Sequence, residues 1–171
     1  MLIGLRDALD YAEQNNCGIA AINTPTLELL LGAVKVAERY QVPLIVQHAQ
    51  VHEAVNAIED IGPVMVELAR RSSAPLVVHV DHGETYEYVE RGFAVGFNSA
   101  LYDGSRLPYR DNVAQTRAVV RLAAERGLPS LSLVPEEVPV LRLRLVRGGA
   151  AIDRPPRVRR RRPRRDGSAQ S

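Results

Sequence analysis

Two residues that could do acid–base or metal chemistry, Asp81 and His82, stand side by side at the end of an apolar run. The run covers residues 74–83, APLVVHVDHG, and Gly83 follows the pair directly. This pattern is typical of a buried β-strand, and α/β proteins keep their chemistry at the carboxyl ends of parallel strands. A carboxylate can move a proton, and a neutral imidazole can bind zinc. Taken without other motifs, the pair fits either a functional site or a polar cap on a strand end.

Strand alternation predicts which of these side chains share a face. It places His79 on the same face as Asp81 and turns His82 to the other face, unless the strand twists or the backbone turns at Gly83. The spacing of His79 from Asp81 resembles that of a metal ligand, but we interpret His79 as a structural histidine.

Two further histidines, His48 and His52, lie in the motif QHAQVHE at the end of another apolar strand. Their spacing also resembles that of metal ligands, although we interpret both as lining the mouth of that strand. Gln47 and Gln50 make the same strand end polar. Hydrogen-bonding groups are therefore expected at the ends of two strands.

Apolar strands alternate with amphipathic helices along most of the chain. After a helix over residues 2–16, four strand–helix units follow in succession. Such alternation favours a parallel sheet with right-handed crossovers, either doubly wound or part of a barrel. The strands are predicted at residues 18–23, 42–48, 74–83 and 97–101, and the helices at residues 24–40, 62–71, 84–96 and 109–127.

Length and composition are typical of one domain, because 171 residues with 46% hydrophobic content can bury a good core. The first ten residues carry charges, and no apolar run is long enough to cross a bilayer. We therefore expect a cytoplasmic protein with no membrane partner. The single cysteine, Cys17, excludes an intramolecular disulfide and is expected to be a small buried residue.

The three most specific motifs resemble the class II, metal-dependent ketose-bisphosphate aldolases. They are LVVHVDHG at residues 76–83, GFNSALYDGSRLPYRDNVAQT at residues 96–116, and AINTPTLE at residues 21–28. The resemblance runs from about residue 2 to residue 127 and keeps the family's order and spacing. It implies a (β/α)₈ TIM barrel of the α/β class, in which residues 1–127 form only the first four β/α units.

The resemblance also implies roles for four residues. Asp81 matches the catalytic residue that protonates the aldehyde oxygen in condensation and removes that proton in cleavage. His82 matches the first zinc ligand, Asp103 matches a carboxylate near a second metal position, and Asn23 matches a polar group near the substrate. Asp103 with its following glycine is also an ordinary turn signal. Ala49 stands where many members carry a hydroxyl residue.

The activity that the resemblance implies is zinc-dependent, reversible aldol cleavage of a ketose 1,6-bisphosphate. The products would be dihydroxyacetone phosphate and glyceraldehyde 3-phosphate, as in glycolysis and related carbohydrate metabolism. The motifs do not distinguish fructose from tagatose bisphosphate as the small-molecule sugar phosphate. An intact member of the family is expected to be a homo-oligomer.

The chain departs from the family after Gly127. No histidine follows His82, so the three histidines of a complete zinc site cannot come from this chain. We therefore expect a truncated and inactive barrel whose fourth strand is an open edge, and which is unstable, aggregates or dimerises.

Residues 128–171 are rich in arginine and proline and show no helical stripe. The charge is divided sharply: residues 1–139 carry a net −7 and residues 140–171 a net +9. We predict a disordered or frameshifted tail, and a genuine truncated gene is the second explanation. The third is that the basic run at residues 157–165 binds a polyanion such as nucleic acid through phosphate contacts. We do not expect sequence readout, because aromatic residues are absent from this run.

Overall fold

Six strands form one sheet whose spatial order follows the order of the chain. The computed structural model describes residues 1–128, 130–133 and 144–146. Neighbouring strands run parallel from the first to the fifth, and the sixth is antiparallel to the fifth. The strands are β1 Ala20–Asn23, β2 Leu44–Ala49, β3 Leu76–Gly83, β4 Ser99–Asp103, β5 Ser130–Leu133 and β6 Arg144–Val146.

Among the described residues, five α-helices accompany the sheet, and four of them connect successive parallel strands. They are α1 Leu5–Gln14, α2 Leu27–Tyr40, α3 Ile58–Arg71, α4 Tyr86–Ala94 and α5 Tyr109–Glu125. The expected α/β architecture and parallel order are confirmed. No helix in the described residues is both long and apolar enough to cross a membrane.

Threonine side chains begin two of the connecting helices. Thr26 Oγ1 accepts a hydrogen bond from the Leu29 backbone N–H at 3.5 Å, and Thr85 Oγ1 accepts one from Tyr88 N–H at 3.2 Å. Each bond satisfies a helix N–H group that has no intrahelical partner. Thr26 is therefore the N-cap of α2, and Thr85 is that of α4.

The two faces of the sheet carry separate apolar clusters. Alternate β3 residues, including Val78 and Val80, pack against α2–α5 in the larger core. Val77, on the opposite face, packs with Leu5 and Ala8 of α1. By alternation, His79 and Asp81 share the face of Val77. The helix before β1 thus covers part of the face that carries the candidate site.

Three local expectations were wrong. The helix predicted to begin at residue 62 begins at Ile58, and a 3₁₀ helix, Gln50–Ala54, lies between it and the second strand. The fourth strand ends at Asp103 rather than at residue 101, so Asp103 belongs to the strand end. Cys17 is exposed rather than buried.

The edges of the sheet also differ from expectation. β4 is not an open edge, because β5 pairs with it in parallel. All four residues of β1 are exposed. β5 and β6 fall within the range predicted as a disordered or frameshifted tail. Apart from Leu128, the rest of that range, including the basic run at residues 157–165, lies outside the described residues, so the tail and instability hypotheses stay predictions.

Candidate active site at the carboxyl end of the sheet

A β-bulge brings the side chains of Asp81 and His82 together. The pairing of β3 with β4 shifts register at this point, so that both residues oppose the single residue Leu101. His82 adopts a left-handed backbone with φ of 42°. Its Nε2 lies 3.7 Å from Asp81 Oδ1. Regular alternation would have placed the two side chains on opposite faces of the strand. The turn of the backbone, which the sequence pattern allowed but did not predict, keeps them together.

The imidazole of His82 also contacts the next strand. Its Nδ1 lies 2.8 Å from Asp103 Oδ2. Because a carboxylate only accepts hydrogen bonds, the proton sits on Nδ1 and the Nε2 lone pair remains available. Proteins commonly orient a metal-binding imidazole through a carboxylate in this way.

Asp103 has both carboxylate oxygens engaged. Oδ1 accepts a hydrogen bond from the backbone N–H of Ser105 at 3.0 Å, and Oδ2 accepts the one from His82. Partial burial alone would raise the pKa of Asp103, but the bonds from Ser105 and His82 outweigh it and lower the pKa below the usual value. Asp103 is therefore charged at neutral pH and orients His82.

His79 is buried beside this site and is only 5% exposed. Its Nδ1 lies 2.8 Å from Ser99 Oγ. Burial, and secondarily the nearby charge of His82, lowers the pKa of His79 to about 4. A neutral imidazole with a hydroxyl partner agrees with the structural interpretation of His79.

His48 and His52 hold the loop after β2. His48 is fully buried, with Nδ1 2.6 Å from the Tyr88 hydroxyl and Nε2 3.1 Å from the Asn56 carbonyl oxygen. The Nε2–H therefore donates to the carbonyl, and Nδ1 accepts from Tyr88. His52 Nδ1 accepts the Ala49 backbone N–H at 3.1 Å. Both rings therefore make hydrogen bonds within the protein.

Asn23 is exposed at the carboxyl end of β1, where it is in register with Gln47 of β2. Ala49 of β2 is in register with Asp81. Asn23 therefore lies at the same end of the sheet as Asp81, the carboxyl end of the parallel strands, and is two strands away from it.

Gln50 makes a contact beside the site that the sequence did not predict. Its Oε1 accepts hydrogen bonds from the backbone N–H groups of Glu84 at 2.9 Å and Thr85 at 3.2 Å. These residues follow the Asp81–His82 pair directly. The only sequence signal was the polar character of the strand end, which does not identify a partner 34 residues away.

The described residues fit a zinc ion only in part. Among them, no group of three His, Cys, Asp or Glu side chains is arranged to hold a metal. His48, His52 and His79 have ring nitrogens engaged in other contacts. His82 Nε2 remains as one imidazole ligand, with Asp81 beside it.

Comparison with known proteins identifies the family. The model of the family described as fructose-bisphosphate aldolase class-II matches residues 4–130. The chain belongs to this family. Its members are generally zinc-dependent lyases that act on sugar phosphates.

Individual proteins are similar to this chain in sequence and in fold. A fructose-bisphosphate aldolase of Giardia intestinalis is 29% identical over 133 residues, which cover 74% of this chain and 40% of that protein. The crystal structure of the YdjI aldolase from Escherichia coli K12 is 26% identical with a TM-score of 0.73, covering 77% of this chain and 50% of YdjI.

A fructose-bisphosphate aldolase of Campylobacter jejuni shares the fold alone, at 16% identity and a TM-score of 0.61, and covers 78% of this chain and 48% of that one. The chain thus spans half or less of the length of these relatives. The likeness confirms that the β/α units described above are those of the family's TIM-barrel type.

Proposed function

We propose that this chain supplies Asp81 and His82 to the active site of a class II aldolase. The reaction is reversible cleavage of a ketose 1,6-bisphosphate to dihydroxyacetone phosphate and glyceraldehyde 3-phosphate. The observation that carries the proposal is the 3.7 Å separation of Asp81 Oδ1 and His82 Nε2 at the carboxyl end of the sheet. Class II membership supports the reaction type.

Asp81 is the proposed acid–base group. Its side chain is 15% exposed, so it is partly desolvated yet reachable at the sheet edge. In cleavage, the carboxylate takes the proton from the substrate hydroxyl as that oxygen becomes the aldehyde and the adjacent carbon–carbon bond breaks. In condensation, the same carboxyl returns the proton to the aldehyde oxygen.

His82 is the proposed zinc ligand, through Nε2. When bound, zinc in this family would polarise the substrate ketone and stabilise the enediolate. Asp103 fixes the tautomer that leaves Nε2 available. Asp103 as a second-metal ligand and Asn23 as a substrate contact remain proposals that derive from the family resemblance.

We also propose that the 171-residue chain alone has little or no activity, because no three His, Cys, Asp or Glu side chains of its described residues are arranged to hold a metal. The test follows dihydroxyacetone phosphate released from fructose and tagatose 1,6-bisphosphates. It compares the chain alone with the chain mixed with a separately produced carboxyl-terminal half of the Giardia aldolase. We expect zinc-dependent cleavage only in the mixture.

Two variants assign the chemistry. Asp81→Asn should abolish cleavage in the mixture, whereas Glu67→Gln, on the exposed side of α3, should leave it unchanged. Cleavage that survives Asp81→Asn would refute the role of Asp81. Absence of cleavage in a mixture that elutes as one complex would refute the proposed reaction.

The intact mass of the protein in its source cells tests the truncation hypothesis. The chain has a calculated mass of 18.8 kDa. A mass equal to this value would show that the arginine-rich tail is genuine. A mass appropriate to a whole barrel of roughly 250 residues would instead favour a frameshift in the sequence after residue 127.

A further inference from the structure

We propose that Gln50 is a positioning residue for His82. Its side-chain oxygen holds the backbone immediately after the bulge, so that His82 keeps Nδ1 on Asp103 and Nε2 toward Asp81. The inference rests on the proposed function for its purpose, since His82 is the ligand being positioned. The contacts that carry it are independent of activity.

The backbone at His82 needs such support. A non-glycine residue at φ of 42° is in the left-handed region, where the Cβ atom crowds the following carbonyl oxygen. Such a conformation persists only where the surrounding structure fixes the chain on both sides. On the amino-terminal side, Asp81 is held in register with Ala49 of β2.

On the carboxyl-terminal side, two features fix the chain. Gly83 returns to the ladder opposite Tyr102 and lies so close to α4 that an added Cβ would approach Val89 Cγ2 to 2.6 Å. The next two backbone N–H groups, of Glu84 and Thr85, both point to Gln50 Oε1. One side-chain oxygen therefore fixes the direction in which the chain leaves the bulge.

The loop that carries Gln50 is itself held in place. His52 Nδ1 accepts the N–H of Ala49, the residue before Gln50. Glu53 Oε1 accepts the N–H of Ile58 at 2.9 Å, and Glu53 Oε2 lies 2.7 Å from Arg91 Nη2 on α4. These contacts tie the 3₁₀ helix to α3 and α4, so Gln50 Oε1 is a fixed acceptor.

The experiment reads the protonated nitrogen of His82 by long-range ¹H–¹⁵N NMR on the 171-residue chain. It is run well above the ordinary histidine pKa of about 6.5, with chelator present so that bound metal does not choose the nitrogen. The parent should show His82 with the proton on Nδ1. Gln50→Met, which keeps the length but removes the acceptor, should lose this signature. Gln50→Glu, which keeps an acceptor oxygen, should retain the Nδ1–H signature of His82.

Gln41→Met is the matched control. Gln41 also makes two side-chain hydrogen bonds, to the Glu38 carbonyl oxygen and Ser73 Oγ, but at the end of α2. The Gln41→Met variant should leave the His82 signal unchanged. If Gln50→Met does not fold, Gln50→Asn decides, because its oxygen is one methylene too short to reach both N–H groups.

An unchanged His82 signature in folded Gln50→Met or Gln50→Asn would overturn the proposal, as would an equal change in Gln41→Met. Either result is obtained without an aldolase assay. Failure of the positioning role is therefore distinguishable from failure of the proposed reaction.

Discussion

The Nδ1 atom of His82 and the Oδ2 atom of Asp103 lie 2.8 Å apart, although the two residues are 21 positions apart in the sequence. The contact joins the carboxyl ends of β3 and β4. A hydrogen bond to a charged carboxylate is stronger than a neutral one and decides which imidazole nitrogen carries the proton. The orientation of the proposed ligand thus depends on a residue of the neighbouring strand.

Replacing Asp103 by Asn should lower the free energy of unfolding by about 1 kcal/mol at pH 7, because a charge-assisted bond becomes a neutral one. The loss is modest because the His82 side chain is 48% exposed and screened by solvent. Urea unfolding measures it, with Glu67→Gln as the control.

The loss of stability caused by Asp103→Asn should depend on pH. The folded-state pKa of Asp103 is lowered, so its contribution to stability is present above the ordinary value of 3.8 and lost as the pH falls through the lowered pKa. The difference between parent and Asp103→Asn should therefore shrink in acid. A difference that grows below pH 4 would contradict the hydrogen-bond assignment.

His79 should make the fold sensitive to mild acid. Its pKa is lowered from 6.5 to about 4, mainly by burial, so the unfolded chain binds the proton more readily. Stability should be complete above about pH 6.5 and fall by up to about 3 kcal/mol as the pH approaches 4. His79→Gln should flatten this slope in urea unfolding measured across the pH range.

His48 contributes in the same direction, since burial also lowers its pKa. The His79→Gln slope should therefore be reduced rather than abolished. An identical slope in parent and variant would show that His79 is not the titrating group.

Tyr88→Phe should destabilise the fold by about 1–3 kcal/mol, because it leaves the buried Nδ1 of His48 without its donor. Burial raises the pKa of Tyr88, so its hydroxyl keeps the proton that it donates. Tyr86→Phe, on the same helix, is the matched control and should cost less. Equal midpoints in urea for the two variants would contradict the role assigned to the His48–Tyr88 bond.

Gly83→Ala should destabilise the protein by about 1–3 kcal/mol, because the new Cβ would lie 2.6 Å from Val89 Cγ2 and 3.4 Å from the Leu101 carbonyl oxygen. Gly32→Ala is the opposite case. Nothing lies within 4 Å of its added Cβ in the interior of α2, so it should stabilise the helix by up to about 1 kcal/mol. Thermal unfolding compares the two, and a stabilised Gly83→Ala would show that the bulge has room to move.

Local patterns were sufficient to predict most of the fold. The apolar run that ends at Asp81 and His82 forms a strand buried along most of its length, and alternating strands and helices form the parallel sheet. Both follow from the short-range periodicity of apolar residues. The same motifs identified the class II aldolase family.

The expected position of His82 depended on uninterrupted alternation, which the bulge breaks. A bulge is set by the pairing of β3 with β4, and its exit is held by Gln50 from another loop. Neither contact is encoded in the local sequence pattern. β4 likewise extends to Asp103 through a tertiary contact, because Asp103 pairs with Leu133 of β5.

By itself, the sequence determined the α/β class, the alternation of strands and helices along the chain, and the presence of a carboxylate and an imidazole at a strand end, because these depend on neighbouring residues. Only the tertiary structure decided that Asp81 and His82 face each other and that Asp103 chooses the free nitrogen of the ring. The first relationship depends on the bulge in the pairing of β3 with β4, and the second joins residues of two strands that only packing brings within hydrogen-bond distance.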